Sequence, residues 1–247
     1  MLLAAAPSCA EDLASPVTFG GNLALTTDDI YRGVSESDGQ AALQADLHAD
    51  ADGTFLGVWA STRKRSLYPY ADYDVEAYLG HRFELTSSWG ATLEARSRYF
   101  VGGAQPESAD YQQISGSLTY LDRWTLSLTA IPNAVRYWYF LRLTRGPAYV
   151  AETSAQWLIK GGFFLTAGAG YYYSTGRFPD YPAGFEGMEG MASRPLGGYA
   201  YGNLGAAFEY GRWRLDVGYY LTEQEARELT PYPSARERVA GTLTWRF

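Results

Sequence analysis

Read in steps of two, the chain alternates almost from end to end. The last segment sets the pattern. Val239, Gly241, Leu243, Trp245 and Phe247 fall on one parity; Arg238, Ala240, Thr242, Thr244 and Arg246 fall on the other. A period of two with one apolar face is the signature of a β-strand. The same alternation predicts earlier strands at 17–26, 41–50, 54–61, 72–85, 89–101, 109–121, 123–131, 147–159, 163–174, 197–210 and 212–222. In 41–50, Leu43, Ala45, Leu47 and Ala49 oppose Gln44, Asp46, His48 and Asp50. Only 54–61 is ambiguous, because Phe55 and Trp59 compete with Leu56 and Val58 for the apolar face. No helical periodicity persists beyond a turn or two.

The connections alternate as well. Short ones fall near 52, 87, 122, 161 and 211, and long ones at 27–40, 62–71, 102–108, 132–146, 175–196 and 223–235. Asp52-Gly53 supplies the positive φ angles of a tight hairpin. Short turns at one end and long loops at the other predict an all-β fold over residues 17–247. It is an up-and-down transmembrane β-barrel of 12 antiparallel strands, with short periplasmic turns and long extracellular loops. Trp89, Trp124, Trp157, Trp213 and Trp245 all lie near the short-turn level on the outward parity. Tyr73, Tyr99, Tyr111, Tyr149, Tyr171, Tyr199 and Tyr219 gather towards the other strand ends. Two aromatic rims around an aliphatic band match two lipid interfaces. Closure follows, because lipid cannot satisfy a free sheet edge. A soluble sandwich would explain the alternation but not the rims.

Composition sharpens this reading. Hydrophobic residues make up 47% and aromatics 16%. Because no run of 18 apolar residues occurs, a helical span is excluded. The net charge of -7 and the lack of a basic stripe argue against nucleic acid as a partner. Residues 1–10 look like the remnant of a secretory signal, with Ser8-Cys9-Ala10 as a small-x-small cleavage site. Cys9 is the single cysteine, so neither a disulfide framework nor a cysteine metal site is expected. The expected partners are the lipid bilayer of the outer membrane, small solutes, and the barrel-assembly machinery. The last of these would read the final strand ending at Phe247.

Twelve strands about 4.7 Å apart and tilted about 40° enclose a backbone cylinder roughly 24 Å across. Inward positions carry Glu76, Arg82, Glu94, Arg96, Arg98, Glu152, Glu209, Arg214, Asp216 and Arg238, the candidates for lining a pore. Their signs are mixed, so neither an ion preference nor the choice between an aqueous channel and a salt-bridged plug is readable. Loop 175–196 is the expected constriction. No catalytic residue, metal site or cofactor is expected. His48 stands in a ladder with Asp46 and Asp50, read as solvated lumen residues; His81 lies on the outward parity; neither has a serine two residues away. Three functions compete: an outer-membrane porin passing small hydrophilic solutes, a barrel hydrolase acting on lipid or lipopolysaccharide, and a closed structural or adhesion barrel.

The segment Gly21 to Ser37, followed by Ala41 to Asp46, resembles the opening of the TorF-type porin family of proteobacterial outer-membrane proteins. Thr27, Asp28, Tyr31, Arg32, Gly33, Ser35 and Ser37 fit its pattern, and Trp59-Ala60-Ser61 resembles its next strand. Asp29, Glu36 and Ala45 depart from it. The clear match covers about a quarter of the chain. The resemblance implies a porin with Asp28, Tyr31, Arg32 and Gly33 as motif residues. Gly33 permits a sharp turn. Arg32 could pair with Asp28 or an opposing lumen carboxylate, as a structural clamp or a solute contact.

Overall fold

A computed structural model describes residues 16–64, 71–103, 109–136, 144–177, 195–229 and 237–247. The remnant at 1–10 and most of loop 175–196 lie outside these residues. Twelve strands form the barrel wall: β1 (Thr18–Thr26), β4 (Ala42–Ala51), β5 (Thr54–Thr62), β6 (Tyr73–Glu84), β7 (Trp89–Val101), β8 (Tyr111–Tyr120), β9 (Trp124–Arg136), β10 (Thr144–Lys160), β11 (Phe163–Arg177), β12 (Pro195–Tyr210), β13 (Trp213–Thr222) and β14 (Arg238–Arg246). Each pairs antiparallel with its sequence neighbour, and β14 returns to β1 to close the ring. Two further short strands, β2 (Ile30–Tyr31) and β3 (Val34–Ser35), pair only with each other. A single helical turn, α1 (Ala226–Leu229), stands in the charged loop where no helix was expected.

The alternation in sequence becomes the wall. Leu128, Leu204 and Val239 are 64%, 67% and 68% exposed, while Asp74, Glu76 and Arg98 on the other parity are buried. An outside of Leu and Val around an inside of paired charge is the reverse of a soluble barrel. The ambiguous strand resolves in the same way, since Leu56 and Val58 are exposed and Phe55 is buried. The tryptophan level is real. Trp213 is paired in register with Trp245, whose ring lies 5.0 Å from that of Phe247, and the rings of Trp124 and Trp157 are 5.1 Å apart.

The tyrosine rim needs correction. Tyr73, Tyr99, Tyr149, Tyr171 and Tyr219 are outside and exposed, but Tyr199 is 1% exposed and points inward. Tyr111 also faces the lumen, where Arg98 donates to its hydroxyl at 2.9 Å. Strands β9 to β12 run longer than the alternation predicted. β9 and β10 continue into the aromatic 132–146 connection, and β11 and β12 into the 175–196 loop.

Candidate functional site

The segment 27–40, expected as a polar loop at the mouth, folds back into the barrel. Its sequence dictates that shape. Ile30-Tyr31 and Val34-Ser35 are short extended pieces joined by Arg32 (φ 48°) and Gly33 (φ 77°), a two-residue turn with both φ values positive. A side chain at Gly33 would meet Thr222 Oγ1 and Tyr201 Cβ at 2.6 Å, so the tip is wedged against the β12–β13 wall. Thr222 Oγ1 donates to the Gly33 carbonyl at 2.7 Å, and Tyr199 OH donates to the Arg32 carbonyl at 3.1 Å. From the opposite side, Gln113 Oε1 on β8 accepts from Arg32 Nη2 at 3.1 Å and from Tyr31 OH at 3.4 Å. The hairpin therefore crosses the bore from wall to wall.

Its base is held by its own polar residues. Asp28 Oδ1 accepts from Ser35 Oγ, from Ser37 Oγ at 3.0 Å and from the Gly39 amide at 3.2 Å. Asp28 Oδ2 accepts from Arg238 Nη1 at 2.9 Å. The expected partnership of Arg32 with Asp28 is thus not made; Arg238 takes that carboxylate, because the turn carries Arg32 to the far end of the hairpin. Asp29 Oδ2 accepts from Ser61 Oγ at 2.8 Å. Burial, followed by the nearby Glu36 charge, pushes the Asp29 carboxyl above its ordinary range.

Glu36 is the hairpin's ionic anchor. It takes Arg63 Nη1 at 3.1 Å and also Arg98 Nη2. Arg98 in turn meets Asp74 through Nε at 2.7 Å and Glu76 at 3.4 Å. Side-chain exposure is 3% for Arg98, 3% for Glu36 and 0% for Asp74. Burial alone would raise the Glu36 carboxyl, but the two guanidiniums outweigh it and hold it below the ordinary range. Lower on the same wall, Arg96 bridges Glu76 and Glu94, and its guanidinium lies 4.9 Å above the Tyr78 ring. Tyr78 OH donates to Asp46 at 2.7 Å, His48 Nδ1 lies 2.7 Å from the same carboxylate, and Arg82 pairs with Asp50. His48 thus has a carboxylate on one ring nitrogen. His81 lies against Thr54 Oγ1 at 2.8 Å and the Phe83 ring, far from it along the strand register.

The ten inward positions named from the sequence do not form one cluster. Glu76, Arg82, Glu94, Arg96 and Arg98 make the ladder on β6 and β7. Arg214 pairs with Glu209 at 2.7 Å and with Asp216 at 2.8 Å. Glu152 accepts from Tyr201 OH at 2.6 Å, and Arg238 serves the hairpin base. On the turn side of the hairpin lies a polar cavity of about 530 Å³. Its wall includes Ser154, Gln156, Asn203, Arg214, Asp216 and Tyr220. The lumen thus combines paired charges with room for water, and the hairpin crosses it.

The comparisons with known proteins now have a geometry to be set against. Residues 10–181 match a bacterial protein family of unknown function, Gcw_chp. The chain belongs to that family. No curated protein matches the sequence. Among solved structures, the chain is similar to the NanC porin in its rhombohedral crystal form, with TM-score 0.54 and 9% identity over 92% of this chain and 98% of that one. It is also similar to the KdgM porin, with TM-score 0.51 and 8% identity over the same shares. At such identities the likeness is one of fold: this chain's closed 12-stranded barrel resembles the barrels of outer-membrane porins. The family match covers the hairpin and the ladder. The sequence placed Asp28, Tyr31, Arg32 and Gly33 in one motif. It missed the partners that receive them, Gln113, Tyr199, Tyr201 and Thr222, which lie 80 to 190 positions away.

Proposed function

We propose that this protein is an outer-membrane channel through which small hydrophilic solutes diffuse. The hairpin 27–40 narrows its bore; most of the 175–196 loop singled out from the sequence lies outside the described residues. One observation carries the reading: a closed barrel with an aliphatic outside surrounds a polar cavity beneath a hairpin that spans the bore. Likeness in fold to two porins supports it, as does the TorF-type motif, whose residues build the hairpin. The inward charges from Glu76 to Arg238 line the route. The outside band faces lipid, the tryptophan level marks the periplasmic interface, and the last strand, ending on Phe247, is the segment an assembly machinery would read. The hydrolase reading gains no support, since His48 and His81 each meet a partner other than a serine.

The test is conductance of the purified full-length protein in planar bilayers. Discrete openings in potassium chloride are expected, larger when residues 29–38 are replaced by a short Gly/Ser linker. A folded barrel that stays silent in both forms would sink the reading.

A further inference from the structure

Among the described residues, almost every cation of the lumen has a carboxylate at ion-pair distance, and Arg96, Arg98 and Arg214 each have more than one. Arg63, Lys64, Arg82, Arg96, Arg98, Arg214, Arg238 and Arg246 each lie within ion-pair distance of a carboxylate. Arg32 does not. Among the described residues, its side chain makes one hydrogen bond, from Nη2 to the neutral Gln113. Its Nε is buried without a partner. Glu152 faces it from β10 but lies beyond ion-pair range, with the Tyr201 hydroxyl donating to it. The guanidinium stacks over the Tyr31 ring at 4.7 Å. Its backbone is fixed from both sides, by the wedged Gly33 and by Tyr199. A half-buried guanidinium with a buried, unpartnered Nε and no ion-pair partner is costly unless something supplies one.

From this we infer that Arg32 is an anion-binding station at the narrowest point of the channel. Its ligand is a small solute bearing a carboxylate. The fork of N–H donors matches two carboxylate oxygens, and a planar guanidinium gives up its hydration more readily than an ammonium. The hairpin sets the station rigidly in the path. The carboxylate is held long enough to be selected and released without a conformational change. Among the described lumen cations, Arg32 is the one with no carboxylate at ion-pair distance, so it is the one placed to bias which ions cross. The inference rests on the channel reading.

The test compares wild type with Arg32→Gln and Arg32→Lys, each as the full chain in planar bilayers. Reversal potentials are read under a tenfold potassium chloride gradient and again with potassium acetate replacing chloride. Heat-modifiable gel migration confirms that each barrel is folded. Arg32→Gln is expected to lower the anion-to-cation permeability ratio about fivefold, equivalent to the ~1 kcal/mol of one unit charge at 4 Å in water. Arg32→Lys is expected to keep the chloride ratio but lose part of the acetate preference. If Arg32 only braces the hairpin, both variants raise total conductance and leave the ratios unchanged, and the inference falls while the channel stands. A wild type that never conducts overturns the channel reading and this inference with it.

Discussion

Replacing Arg98 with methionine tests whether the ionic anchor holds the hairpin in the bore. The substitution keeps the aliphatic length but strips the guanidinium from Glu36, Asp74 and Glu76, all of them buried. Arg63 remains, 3.1 Å from Glu36 and 3.7 Å from Asp74, and compensates in part. Breaking a buried pair by removing one partner costs about 3–5 kcal/mol, chiefly through the carboxylates left uncompensated. The strand ladders of the wall are untouched, so the cost falls on docking of the hairpin. At 1.4 kcal/mol per tenfold, the docked state loses about two to three and a half orders of magnitude in population, less whatever Arg63 restores. Single-channel recordings of R98M should therefore show a larger mean conductance with rapid flicker between levels. Adding Glu36→Gln should change little further, because the charge it removes has already lost its main partner. The resulting non-additivity is the coupling between the two residues. Equal conductance and noise in wild type and R98M, with both barrels folded, would refute the anchor.

Three further outcomes follow from the same geometry. Gly33→Val forces a β-branched side chain into a positive φ and against Thr222 and Tyr201; unplugged conductance levels are expected, and an unchanged current record would argue against the wedge. Leu128→Arg places a charge in the middle of the outer band; a loss of about 2–4 kcal/mol on urea unfolding from liposomes is expected, whereas a neutral effect would mean this face does not meet lipid. The pH response of conductance should be biphasic. Asp29 binds its proton more tightly in the docked hairpin, so docking strengthens as pH falls through its raised value. Glu36 has a depressed value, so its contribution is intact above the unfolded carboxylate range near about 4.3 and is lost as pH falls through the docked value. Conductance should dip on mild acidification and rise in strong acid; a rise that begins at mild acidity would reverse the assignment.

The wall was legible because parity is local. Each strand carries its own inside and outside, so a face read over ten residues needs no knowledge of the other strands. Where parity and position along the axis disagreed, parity was the better guide. Tyr111 sits two residues before Gln113, on the polar parity, and turned inward, although its level suggested a lipid rim. Tyr199 is flanked by Gly198 and Ala200, so its strand offered no contrast to read. The hairpin was half visible. Ile30-Tyr31-Arg32-Gly33-Val34-Ser35 carries the turn chemistry of a two-residue hairpin, and a close reading of that six-residue piece would have found it. Its direction was not visible. Polar residues suit water above a membrane as well as a polar lumen, and the contacts that decide between them come from strands encoded far downstream. The Arg32–Asp28 pairing failed for the same reason: closeness in sequence says little once a tight turn reverses the chain between two residues.

The shortest ladder of the cylinder is the seam, where β1 and β14 share five residue pairs, Asn22 to Thr26 against Thr242 to Arg246. Directly beyond it, Thr27 meets Gly241, and Asp28 is gripped by Arg238. The residues that fold the obstruction are thus the same ones that rivet the first strand to the last. A nascent protein still missing its final strand lacks Arg238, and with it the grip on the base of that obstruction. The last rivet on that obstruction is set only when the circle is complete, so closing the cylinder and fastening its base are one event.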